Sequence, residues 1–105
     1  MSETSPHARA LALAEAAAFD FAVGDEAAAL AKLQAAVAAD PDCFEAWLAK
    51  AEVHFALRQF DDALAAGERA LALRPKDIHV HTSMSRIWME RGDKAKAEHH
   101  GAQAR

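Results

Sequence analysis

The chain has 105 residues, 52% of them apolar types, with twelve basic and sixteen acidic side chains and a net charge of −4. That length suffices for one small domain, and an acidic chain without a basic stripe excludes nucleic acid as an electrostatic partner. A single cysteine, Cys43, excludes an internal disulfide and fits a reducing, cytoplasmic setting. No run approaches the roughly 18 apolar residues of a membrane span. The opening MSETSPHARA lacks a basic stretch followed by an apolar core, so no signal peptide is expected. With abundant Ala and Leu, only four Gly and three Pro, the composition favours helix.

Six helices are expected in chain order. Ser5-Pro6 is a start signal, with Ser as N-cap and Pro at the first helical position, for a helix from His7 to Val23. Gly24-Asp25 breaks it, and a second helix runs from Glu26 to Ala39, where Asp40-Pro41 ends it. Asp42 and Glu45 read as a capping box opening a third helix that reaches Leu57. The fourth covers Phe60 to Leu73. Asp77 caps the fifth, Ile78 to Glu90; Gly92-Asp93 turns the chain; Lys94 to Gln103 forms the sixth.

The sequence matches itself at a shift of 34 residues. Leu13 meets Trp47 and His81, and Phe21 meets Phe55 and Met89. Ala29, Ala63 and Ala97 coincide, as do Ala36, Ala70 and Ala104, and Pro41 meets Pro75. The turns read VGDEA, LRQFD and RGDKA. Small residues at fixed intervals let helix backbones approach closely, while Trp47 and Phe60 are plugs between helices.

Trp47, Phe60, Ala63, Ala70 and Pro75 make the chain resemble the tetratricopeptide repeat family. The family's Leu-Gly pair is Lys50-Ala51 here, its Tyr is His54, and its helix B aromatic is Gly67. The resemblance implies an all-α fold: a right-handed αα-superhelix of three helix-turn-helix repeats, residues 10–43, 44–77 and 78–105, in a single domain covering 1–105.

It also implies a concave groove lined by the first helix of each pair. The expected partner-binding residues are Glu15 and Phe21 from the first repeat, Glu45, Leu48, Glu52 and Phe55 from the second, and Arg86 and Met89 from the third. Apolar anchors with an acidic surround suit a peptide or helix of another protein carrying Lys or Arg beside apolar side chains. Family members that bind chaperones grip a C-terminal carboxylate with cations in the groove. The matching places here hold Ala14, Ala18, Ala49, His79 and Ser83, so a peptide ending in EEVD is not expected to bind.

No catalytic pattern emerges, and no cofactor is expected. Cys43 lies beside a helix start, where a thiolate can be stabilised, but no base is spaced to serve it. Packing between repeats is its expected role. His79 and His81 are two apart and His99 and His100 adjacent, not the three or four that share a helix face, so no metal site is expected. His54 is expected to pack against its partner helix. The first helix is apolar around much of its circumference. A competing reading therefore makes the chain a self-assembly module, a homodimer formed through terminal helices, with Leu13 and Phe19 as contact residues.

Overall fold

The structure is a computed structural model and describes residues 5–105. Six helices follow one another: α1 Pro6–Ala22, α2 Glu26–Ala39, α3 Phe44–Ala56, α4 Phe60–Leu73, α5 Ile78–Arg91 and α6 Lys94–Gln103. Four of them start on a side-chain oxygen that accepts an otherwise unpaired backbone N–H. Ser5 Oγ takes the N–H of Ala8 at 3.0 Å, and Asp25, Asp77 and Asp93 do the same for Ala28, Val80 and Lys96.

The capping box expected at Asp42 and Glu45 does not form. Cys43 is the N-cap residue of α3 and makes no side-chain cap bond. Asp42 is held one residue too early, its N–H donating to Asp40 Oδ1 at 3.0 Å, while Glu45 turns to Arg74 Nη2 at 3.4 Å. Burial of Cys43 in the core fixes this register. Burial raises the Cys43 thiol pKa, with Glu45 and Asp40 adding to the effect, so the helix start does not activate it.

The two glycine turns adopt left-handed backbone, Gly24 at φ 89° and Gly92 at φ 84°. The middle repeat places Arg58 at the same register, and its φ is 61°. A side chain bears that conformation at a cost of roughly 1–2 kcal/mol.

Helices pair as α1·α2, α3·α4 and α5·α6, and neighbouring pairs stack through α2·α3, α4·α5, α1·α3 and α3·α5. The first pair makes no close backbone contact with the third, the one-dimensional organisation of a solenoid. The body is elongated, 52 × 28 × 19 Å. Its core falls into two clusters, one per inter-repeat junction. Ala10, Leu33 and Ala36 bury against Val53 and Ala46 of the next repeat; Phe44, Ala63 and Leu64 bury against Val80, Met84 and Ile87. Trp47 packs on both clusters and joins them.

Two substitutions of the repeat pattern are resolved by packing. Trp47 Nε1–H donates to the carbonyl of Pro41 at 2.7 Å, tying α3 to the preceding loop. His81 stands at the Trp47 register in the third repeat, and its Nε2 reaches the Pro75 carbonyl at the same 2.7 Å. A carbonyl only accepts, so His81 carries its proton on Nε2. Its Nδ1 faces His100 Nδ1 at 3.0 Å. Gly67 stands where the family pattern has an aromatic ring. The side chain of Met84, from the next repeat, fills that space.

Candidate functional site

The first helix of each pair lines one side of the stack. Glu52, Phe55 and Ala56 share a face of α3 by their spacing of three and four. Arg86 occupies the Glu52 register on α5. Phe21 projects from the end of α1. Together with Ala51, Ser83 and Ile87 these residues line a concave pocket of about 350 Å³. The concavity continues along α5 into an opening of about 460 Å³ bounded by Arg58, Met89 and Glu90. Toward α1 it continues into one of about 270 Å³ bounded by Ala18, Ala49 and Glu52.

The charges in this groove are of both signs. The Arg86 guanidinium lies 4.9 Å from the Phe55 ring centroid, covering one face of it. Phe55 also meets Phe60 at 5.8 Å between centroids. Glu52 is open to solvent at the groove mouth yet crowded by the concave walls. Their desolvation raises its pKa, against the opposite pull of His79 and Arg86. Among the described residues Glu52 and Arg86 belong to no ion pair within 4.0 Å. Glu90 at the far rim pairs with Arg58 at 3.6 Å.

Of the residues expected to bind a partner, the structure brings Phe21, Glu52, Phe55 and Arg86 together in the main pocket and Met89 into its continuation. It leaves three outside these openings. Glu15 is exposed on α1 away from them. Glu45 is paired with Arg74. Leu48 is half-buried against the second core cluster and serves packing. Ala14, one of the places compared with a carboxylate clamp, is buried and unavailable to a ligand. Ala51 and Ile87 were not expected in the groove. Their signal was present, since both are apolar and lie one turn from Phe55 and Ser83 on the same faces. Arg58 gave no such signal, because its place at the rim depends on its left-handed turn.

Several histidines make hydrogen bonds within the fold. His81 is buried with Nε2 on a backbone carbonyl, and His54 Nδ1 meets Gln59 Oε1 at 2.7 Å across the α3–α4 turn. No group of three or more His, Cys, Asp or Glu side chains converges as a metal site among the described residues. No helix among them is long and apolar enough to cross a membrane. Of the two self-association residues, Leu13 is half-buried against the first core, and Phe19 is exposed.

A helix-pair solenoid with a concave groove defines a class of repeat protein, and sequence comparison places the chain within it. A family model described as tetratricopeptide repeat matches residues 20–87, more than half the chain. The chain belongs to the tetratricopeptide repeat family. No curated protein matches it in sequence. Two solved structures share the fold, both titled as crystal structures of MamA. One superposes with a TM-score of 0.86 at 21% identity over 93% of this chain, the other with 0.87 at 22% over 97%. The chain spans 54% and 58% of the length of those two proteins.

Proposed function

We propose that this chain is a protein-interaction module that holds a peptide or helix of a partner protein in its concave groove and performs no chemistry on it. The three repeats act as one domain, in the cytoplasm, where Cys43 stays reduced. The observation that carries the reading is the pocket between α3 and α5. It pairs an apolar floor, Phe21, Phe55 and Ile87, with the partly desolvated carboxylate of Glu52, which belongs to no ion pair among the described residues. A partly desolvated carboxylate gains from a cation brought in by a ligand, so the partner presents Lys or Arg beside an apolar side chain. Arg86 next to it favours an acidic or carbonyl group one step further along the same ligand.

The test is peptide selection from a random library on the immobilised protein. The control is Glu52→Lys/Ala56→Arg. Both positions are exposed on α3, and both new residues are good helix formers, so circular dichroism should be unchanged. Peptides that share a basic-apolar core, bind wild type and lose at least tenfold in affinity for the variant support the reading. Selected peptides indifferent to the variant refute it. A peptide ending in EEVD is expected to show no saturable heat in calorimetry, because Ala14, Ala18 and Ala49 supply no cation.

A further inference from the structure

Four large apolar side chains of the described residues are exposed: Phe19, Val23, Ile78 and Met89. They are not scattered. Shifted by 34 residues, Phe19 falls on Val53 and then Ile87, which are 4% and 1% exposed against 68% for Phe19. Val53 and Ile87 are buried because they face backwards, into the core cluster of the preceding repeat. Val23 falls on Leu57, which also packs on the preceding cluster. Ile78 falls on Phe44, 6% exposed against 57%, and Phe44 faces forwards onto Val80, Met84 and Ile87 of the following repeat. Met89 falls on Phe55 and Phe21, which close the forward side of their own repeats. So α1 presents the side chains with which a repeat meets its predecessor. The third repeat, α5 and α6, presents those with which it meets a successor. Each end displays one half of the same junction, and the missing half is at the other end.

Charge agrees with this pairing. Residues 6–40 carry two basic and five acidic side chains. Residues 77–105 carry five basic and four acidic ones. The first repeat is net acidic and the third slightly basic, so opposite ends attract and like ends repel.

We propose that copies of this chain stack head to tail, the α1 face of one copy on the α5–α6 face of the next, continuing the solenoid across the molecular boundary. The contact is heterologous, with Phe19 and Val23 on one side and Ile78 and Met89 on the other. Such a contact does not use itself up, and it yields growing chains rather than a closed dimer. It takes up Met89 at the far end of the groove, leaves the pocket between α3 and α5 open, and adds length to the concave side.

The experiment uses two full-length variants, Phe19→Glu/Val23→Glu and Ile78→Glu/Met89→Glu, each blocking one end at exposed positions. Circular dichroism checks that each is folded; Phe19→Gln/Val23→Thr and Ile78→Thr/Met89→Gln replace either pair that is not. Sedimentation velocity of wild type should show a mass that keeps rising with concentration. Each variant alone should remain a monomer. Mixed in equal amounts, they should give a species of twice the monomer mass and nothing larger, since only one junction is intact. Wild type monomeric at millimolar concentration would overturn the proposal. So would a discrete dimer that survives in either variant, which is the signature of a symmetric contact, or a mixture that stays monomeric.

Discussion

Replacing Gly67 by alanine sets two known effects against each other. In a helix interior, glycine is about 1 kcal/mol worse than alanine, so Gly67→Ala should stabilise α4 if nothing else changed. Position 67 is buried, and a Cβ built there overlaps the Met84 sulfur, lying also within 3.5 Å of its Cγ and 3.7 Å of its Cε. Ordinary contact between such atoms needs ~3.5–4.0 Å. Met84 is a flexible side chain, but it is 2% exposed and shares the second core cluster with Ala63, Leu64, Val80 and Ile87, so its sulfur can move only by repacking that cluster. Overpacking of this kind costs about 1–3 kcal/mol. The cost exceeds the helix gain, and the expected net is a loss of roughly 1 kcal/mol, or about 4–8 °C in Tm for a domain of this size. Thermal and urea unfolding followed by circular dichroism measure it. The decisive comparison is the double-mutant cycle with Met84→Ala. That change alone should cost about 2–5 kcal/mol by opening a cavity. With the sulfur gone, Gly67→Ala should turn stabilising, because the new methyl enters the cavity and the helix gain is no longer opposed. A stabilising Gly67→Ala in the presence of Met84 would refute the account.

Three other outcomes follow from particular contacts. His100 has its pKa lowered, first by desolvation and then by His81 and His99. The unfolded chain therefore binds more protons than the folded one between that lowered value and the ordinary histidine value, about 6.5. Stability should fall as pH falls through this window and level off below it, and His100→Leu should flatten the slope in urea titrations taken from pH 7.5 to 5. Arg58→Gly should stabilise by about 0.5–1 kcal/mol by relieving the left-handed backbone. Its exposed pairing with Glu90 offsets little of this, so a loss in urea midpoint would show that the ion pair and the Phe60 stacking matter more. The buried, high-pKa thiol of Cys43 should react with a disulfide reagent at least a hundredfold more slowly in native protein than in urea, and equal rates would show an accessible thiol.

Periodicity made the helices and their order legible, because a residue's place in the 34-residue pattern reports which way it points within its own repeat. Proline at 41 and 75, the aspartates before α2, α5 and α6, and the alanine ladder fixed boundaries to within one residue at most ends. Local chemistry was enough there, since a cap or a breaker acts over three or four bonds. The groove was half legible. Phe21, Glu52, Phe55, Arg86 and Met89 meet because equal registers on stacked helices must meet. What pattern could not supply is the choice each side chain makes among neighbours in other helices. Glu45 looked like a cap and a groove acid, and Arg74, 29 residues away, drew it off. Leu48 looked like an anchor, and the second core took it because Phe44 and Leu64 left an apolar surface to cover. His81 stood at the Trp47 register with no partner legible in the pattern, and the fold brings the Pro75 carbonyl within hydrogen-bond reach of its Nε2. Register is a property of one helix and can be counted along the chain. A contact between helices depends on the size and charge of residues that the fold alone brings within a few ångströms.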